Sequence, residues 1–251
     1  MTKRRIEMSD NCRQNHPDLV SQFANGIIPS NARIIYKGRN TVYAVNDRST
    51  DINIKAFRAP SFPNNYVYTT LRPSKARRSY ENAMRLLDMG INTPQPMAYI
   101  EIKEGGRLTR SYYLSQQMDH LETVRDWDNF PFKDALLSSL AAFMKELIDK
   151  QIYHRDFSPG NILFEHDSNG SFKFYLVDLN RMEFGVTDQS KMMRMFRAIT
   201  TDLDQNQELA GHFARQCNLD PNDVKTEAAR QLNNYINEKA TLARIKKFFK
   251  N

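Results

Sequence analysis

Cysteine is nearly missing from this chain: among 251 residues there are two, Cys12 and Cys217, far apart and without partner spacing. That excludes a disulfide framework and a cysteine zinc site, and it fits a reducing compartment. Glycine (9) and proline (10) are scarce as well, which excludes collagen-like and low-complexity classes. No run approaches the roughly 18 apolar residues of a membrane-spanning helix. The start, Met1-Thr2-Lys3-Arg4-Arg5-Ile6-Glu7-Met8, is basic but lacks the apolar core of a signal peptide. The expectation is a soluble, cytoplasmic protein.

What is present is ordinary globular material. Apolar residues make up 40% and aromatic ones 11%, enough for a real core in one domain or two small lobes. The formal net charge is +7. A basic balance fits nucleic acid, an anionic membrane face, an anionic substrate or mere solubility. No nucleic-acid-binding motif accompanies it, so nucleic acid is not an expected partner.

Along the chain, residues 1–31 are polar and weakly periodic and read as an N-terminal arm, with a short helix opening near His16-Pro17. Ala32–Tyr36 and Thr41–Val45 flank a Lys37-Gly38-Arg39-Asn40 turn, and Ile52–Phe57 follows as a third strand containing Lys55. Three sequential β-rich runs predict an antiparallel sheet. A Pro-containing loop spans 58–74. Ser74 then caps a helix whose stripe is Ala76, Tyr80, Ala83, Met84 and Leu87, ending at Gly90. Two more strands, Ile91–Ile100 and Arg110–Gln117, flank the turn Glu104-Gly105-Gly106-Arg107. The composition changes after Met118, and residues 133–150 form an amphipathic helix. Phe172–Val177 is a strand after the turn Asp167-Ser168-Asn169-Gly170, and from Asp188 the pattern is helical, with a break near Asn218–Pro221. Strands plus one helix, then helices with a β-rich insert, read as α+β with two lobes, 32–118 and 119–251.

One stretch carries chemistry: His154-Arg155-Asp156-Phe157-Ser158-Pro159-Gly160-Asn161, followed after an apolar run by Val177-Asp178-Leu179-Asn180. An Asp five positions before an Asn, with a second Asp downstream, is what phosphoryl transfer requires. One carboxylate orients a hydroxyl nucleophile, while an amide and a carboxylate hold Mg²⁺ on a nucleotide.

These residues resemble the protein-kinase-like superfamily. His154-Arg155-Asp156 with Asn161 matches H-R-D-x-x-x-x-N, and Asp178 stands where the Asp of D-F-G would stand. The resemblance, covering about residues 32–200, implies a two-lobed α+β fold with an antiparallel-sheet N-lobe and a mainly helical C-lobe. Three departures separate the chain from regulated protein kinases. Gly38 is the lone glycine of Tyr36–Tyr43, Ser158 replaces a lysine, and no Ala-Pro-Glu follows Asp178. With Pro159-Gly160-Asn161-Ile162-Leu163 they look like bacterial small-molecule kinases such as the aminoglycoside phosphotransferases. Within that branch Val177-Asp178-Leu179-Asn180-Arg181 and Arg155 are most similar to the lipopolysaccharide core (Kdo/heptose) kinase family.

The resemblance implies roles by position. Asp156 is the catalytic carboxylate, and His154 supports the loop backbone. Asn161 and Asp178 hold Mg²⁺, with Mn²⁺ as an alternative. Lys55 meets the phosphates of ATP, with Glu81 as its ion-pair partner. Gly38 lets the hairpin approach the phosphates, and adenine sits against backbone at Gln117 and Met118. The implied partners are ATP and a sugar or glycolipid acceptor. The basic, Phe-containing end Ala243–Lys250 reads either as a last amphipathic helix or as a peripheral contact with an anionic membrane face. Arg77-Arg78 and Lys191, Arg194 and Arg197 read as solvated faces, or as holders of a phosphorylated acceptor. Competing readings are a protein Ser/Thr or Tyr kinase, an aminoglycoside-type kinase, and a non-catalytic pseudokinase.

Overall fold

A computed structural model describes residues 1–59, 72–167 and 170–248. Most of the expected Pro-containing loop, the Ser168-Asn169 pair and the last three residues lie outside the described residues. The chain forms two compact units: residues 1–120 with 178–180, and residues 121–177 with 181–251.

The first unit is built on a six-stranded antiparallel sheet. Its elements are β1 (Thr2–Met8), α1 (Asp10–Asn15), α2 (Pro17–Ala24), β2 (Arg33–Lys37), β3 (Thr41–Asp47), β4 (Thr50–Phe57), α3 (Lys75–Asp88), β5 (Pro96–Glu104) and β6 (Arg107–Gln116). The strand order is β1-β5-β6-β4-β3-β2. α3 begins as expected, with the Ser74 hydroxyl accepting from the Arg77 amide, which satisfies one of the orphan N–H groups of the first turn. It is followed by Gly90 at φ 75°, the left-handed exit that glycine makes without steric cost.

Residues 1–31 do not form a separate arm. β1 pairs with β5 from Thr2↔Glu104 to Met8↔Ala98 and makes an edge of the sheet. α1 and α2 bury Cys12, Leu19, Val20, Phe23 and Ala24 against Val45, Ile52, Ile54, Ile100 and Leu114. The physical reason lies in the sheet. Its central strands carry apolar residues on both faces, and a face of fully buried Ile and Leu needs a cover. Phe23 meets the Tyr112 ring edge-on at 5.3 Å, a favoured geometry for aromatic pairs. The buried imidazole of His16 sits 2.7 Å from the Asp47 carboxylate and fastens the start of α2 to the β3–β4 turn. The first unit therefore contains three described helices, where the sequence pattern predicts two, a short one near His16-Pro17 and the one capped by Ser74.

The second unit contains β7 (Glu122–Thr123), α4 (Lys133–Asp149), β8 (Ile152–His154), β9 (Ile162–His166), β10 (Phe172–Leu176), β11 (Met182–Phe184), α5 (Gln189–Met193), α6 (Phe196–Ile199), α7 (Leu203–Cys217) and α8 (Pro221–Phe248). α4 runs as the sequence pattern predicts and buries Leu136, Leu140, Met144 and Leu147. Phe143 on α4 stacks on Phe174 of β10, centroids 5.2 Å apart. α7 contributes Leu209 and Phe213, the latter edge-on to Phe196 at 5.2 Å.

Two tests follow. Phe23→Ala empties a fully buried site and is expected to cost about 3–5 kcal/mol in urea unfolding; a loss under about 1 kcal/mol would mean that α2 is not part of the core. His212 on α7 titrates below its ordinary value of 6.5, because burial disfavours the imidazolium and Arg215 reinforces this. The Asp134 carboxylate 3.4 Å away pulls the other way, but it is 94% exposed and screened by water. The unfolded chain binds a proton that the folded chain refuses. This contribution to stability is therefore present above about pH 6.5 and is lost as the pH falls below it. His212→Gln should reduce the drop in urea midpoint between pH 7.5 and pH 5.5, and an unchanged drop would contradict the assignment.

Candidate active site

The loop between β8 and β9 has almost no regular structure to pair its peptide groups. It uses side chains instead. The His154 ring is 1% exposed. Its Nδ1 accepts from the Asp156 amide at 3.1 Å, and its Nε2 lies 3.1 Å from the Val177 carbonyl. An acceptor at Nδ1 and a carbonyl at Nε2 together require the neutral imidazole protonated at Nε2. The Asp156 carbonyl accepts from the Ser158 amide at 2.8 Å and from Asn161 Nδ2 at 2.9 Å. Val177 then donates to the Asn161 carbonyl at 3.0 Å, which fixes the residue just before Asp178.

The consequence is a division of labour. Every backbone polar group of Asp156 is engaged, while its half-buried carboxylate has no partner among the described residues. Asn161 spends its amide N–H on the loop and leaves Oδ1 without a protein partner among the described residues. Arg125, from the short 3-10 turn at Val124–Asn129, lays its guanidinium against Gly160, where any side chain would collide with it.

Asp178 belongs to the first unit. Its Oδ1 is 2.6 Å from Lys55 Nζ and accepts from Asn180 Nδ2 at 2.6 Å. Asp178 also adopts φ 57°, a left-handed conformation that costs a non-glycine residue energy and clusters at functional sites. Lys55 faces away from the fully buried Ile52 and Ile54, as the alternation of the strand predicts. It lies between Val42 of β3 and Tyr113 of β6.

Glu81 is corrected by the structure. Its carboxylate is 45% exposed and bonds Arg77 at 2.6 Å one turn away, while the partner of Lys55 is Asp178. The reason is helical rotation: one residue along α3, about 100° around the axis, Asn82 is the side chain that turns toward the Asp178 segment and donates to the Leu179 carbonyl at 2.7 Å. Sequence reasoning missed Asn82. The available signal was an uncharged polar residue beside the apolar stripe.

Gly38 sits at the tip of the β2–β3 hairpin, its amide donating to the Asn40 carbonyl at 3.0 Å. A Cβ there would fall 2.5 Å from the Tyr36 hydroxyl, so the glycine makes room for that ring. At the end of β6 the Gln117 amide is spent on the Asp51 carbonyl at 2.9 Å. Met118 makes no backbone hydrogen bond among the described residues.

No group of three or more His, Cys, Asp or Glu that could hold a metal is present among the described residues. Asn161 Oδ1 and the Asp178 carboxylate are each oxygen donors, the kind of ligand that hard cations take.

The lipopolysaccharide kinase (Kdo/WaaP) family model matches residues 37–220, well over half of the chain. The chain belongs to the Kdo/WaaP lipopolysaccharide kinase family. As a member of this kinase family it is a phosphotransferase with a hydroxyl acceptor. Among solved structures it is similar to WaaP in complex with acyl carrier protein, with a TM-score of 0.62 and 14% identity over 95% of this chain and 99% of that one. It is also similar to the Rio2 kinase from Chaetomium thermophilum, with a TM-score of 0.52 and 18% identity over 89% of this chain and 75% of that one. These likenesses establish the protein-kinase-like fold. None of the curated proteins matches. No helix among the described residues is long and apolar enough to cross a membrane.

The loop geometry makes its own prediction. His154→Ala leaves the Asp156 amide and the Val177 carbonyl without these partners and is expected to cost about 2–4 kcal/mol in stability. It should lower kcat more than it weakens ATP binding. A variant with unchanged urea midpoint and kcat would show that the loop holds itself.

Proposed function

We propose that the protein transfers the γ-phosphoryl group of ATP to a hydroxyl of a lipopolysaccharide inner-core sugar. The observation that carries this reading is the Asp156 loop: its peptide groups are all committed and its carboxylate is not. A carboxylate held rigid and left unpaired can accept a hydrogen bond from a sugar hydroxyl and point the oxygen at phosphorus. Family membership supports the sugar acceptor.

Lys55 would bind the phosphates of ATP, exchanging its present carboxylate partner for phosphate oxygens. Asn161 Oδ1 and the Asp178 carboxylate would be the protein ligands of Mg²⁺. That ion, when bound, neutralises charge on the phosphate oxygens. Asn180 and Asn82 would be positioning residues, one bonded to the Asp178 carboxylate and the other to the Leu179 carbonyl. Met118 is the better candidate for backbone contact with adenine, because the Gln117 amide is already occupied. Glu81 receives no role in this scheme. The Rio2 structure, by its description, is a complex with ADP, Mg²⁺ and phosphoaspartate, which supports a nucleotide and Mg²⁺ on this fold.

Labelled ATP offered with separate glycolipid and protein acceptors tests the substrate. Label in the glycolipid is expected; label confined to protein side chains would overturn the sugar assignment. Two variants test the roles. Asp156→Ala should lower kcat by about 10²-fold or more while Mg-ATP affinity stays within about twofold, since this carboxylate addresses the acceptor. Asp178→Ala should weaken Mg-ATP binding as well. Equal Mg-ATP affinity in the two variants would contradict the division between them.

A further inference from the structure

The second unit has a cleft apart from the Asp156 loop, of 720 Å³, with Arg194 and Arg197 on one side and residues of α8 on the other, among them Arg230 and Asn234. Three guanidiniums line it with a single carboxylate, Glu238, and a second one, Glu227 beside the lining, pairs with Arg230 alone of the three. That imbalance is unusual for a surface whose charges serve only solubility, where signs are interspersed.

The guanidiniums are held to different degrees. Arg197 is the best fixed: its side chain is 20% exposed and lies over the Tyr235 ring, 5.5 Å from the centroid. Its carboxylate partner is poor. Glu238 is 59% exposed and sits at 3.4 and 3.5 Å, beyond the usual length of a charge-assisted bond. Arg194 is exposed, and its guanidinium has no hydrogen-bonding or ionic partner among the described residues. Arg230 is oriented by a two-pronged bond to Glu227, at 2.7 Å from both Nε and Nη2. Between these cations the wall presents amides and hydroxyls, including Asn237 and Ser190, the groups that pair with sugar hydroxyls. The volume falls within the range of small-ligand sites.

The cleft is also tied to the Asp156 loop within the same unit. Lys191, one turn before Arg194, bonds Glu183 at 2.5 Å, and Glu183 accepts from Arg155 Nε at 3.2 Å. Arg155 immediately precedes Asp156. Burial pushes the Tyr153 hydroxyl up, and the positive fields of Arg197 and Arg194 oppose it, so the strand leading into the loop lies within electrostatic reach of the cleft.

We propose that this cleft is a subsite for an oxyanion, carboxylate or phosphate, carried by the acceptor, with Arg194 and Arg197 as its specificity-determining residues. It selects an acidic sugar over a neutral one. This rests on the reading of a sugar acceptor given above. Guanidinium is suited to the task because its fork matches both oxyanions and stays charged at every working pH.

The test uses the full chain with ¹⁵N-labelled arginine, following side-chain Nε–H resonances by NMR. Glucose 6-phosphate and glucuronate are the oxyanion probes and glucose is the neutral control. Both acidic probes should shift the Arg194 and Arg197 resonances, glucose should not, and Arg194→Gln/Arg197→Gln should abolish the remaining cleft response at Arg230. No shift, an equal shift with glucose, or a shift seen only with phosphatidylglycerol vesicles would overturn the proposal. In the transfer assay the double variant should raise the acceptor KM about tenfold for each guanidinium lost. Arg194→Lys should recover part of that loss, and the ATP KM serves as the control for folding. An unchanged acceptor KM in an enzyme that phosphorylates sugars would overturn the subsite alone. Absence of transfer to any sugar would overturn the functional reading, and the NMR titration would still decide the cleft.

Discussion

A loop that holds a carboxylate still, without a helix or strand ladder to do so, has to pair its peptide groups with something else. Between β8 and β9 the solution is a neutral histidine and an asparagine. His154 bridges the Asp156 amide and the Val177 carbonyl, and Asn161 ties the Asp156 carbonyl from the other end. Each partner is short and directional, so the loop is fixed by geometry more than by buried area. Because these bonds engage the peptide groups of Asp156 and the amide nitrogen of the Asn161 side chain, what the two side chains keep for ligands is an anionic acceptor and a neutral one. That is a small set, and it matches the needs of a hydroxyl nucleophile and a hard cation.

The first unit solves a different problem. A six-stranded sheet with buried apolar residues on both faces must be covered twice. α3 covers one face, and it also brings Asn82 to the Leu179 carbonyl. α1 and α2 cover the other, and β1 completes an edge. The segment that supplies the second cover is polar on its outer side, with β1 reading Thr-Lys-Arg-Arg-Ile-Glu-Met. Charged edge strands of this kind discourage pairing with other chains. Packing on one side and solubility on the other thus meet in the same thirty residues.

That double demand also explains what the sequence made legible. The Asp156 loop could be read because its residues are local: Asp156, Asn161 and Asp178 keep their spacing whatever the fold does around them. α3 and α4 could be read because their apolar stripes are periodic, and α3 also because Ser74 caps its start and Gly90 follows its end. Of the N-terminal segment only α2 could, as a short helix opening at Pro17, since the edge strand β1 is mostly charged and has no apolar period. A signal did exist elsewhere, in Met97-Ala98-Tyr99-Ile100 and Tyr112-Tyr113-Leu114. Strands apolar on both faces imply a second cover, although they do not say which residues supply it. Glu81 was misplaced for a related reason. Sequence identifies a helix and its stripe to within a residue, and one residue is 100° of rotation.

Long-range assembly sets the remaining boundary. Lys191, Arg194 and Arg197 follow each other at helical spacing, and by themselves they are indistinguishable from a solvated basic face. What distinguishes them is the cover opposite. α8 returns with Arg230, Tyr235 and Glu238, so one arginine is stacked on an aromatic ring and only loosely neutralised. Cations exposed on a convex face are satisfied by water; cations turned toward each other across a cleft repel, and the repulsion is relieved when an anion enters. A surface selected for solubility has no reason to retain that arrangement, whereas a surface that must tell an acidic ligand from a neutral one depends on it.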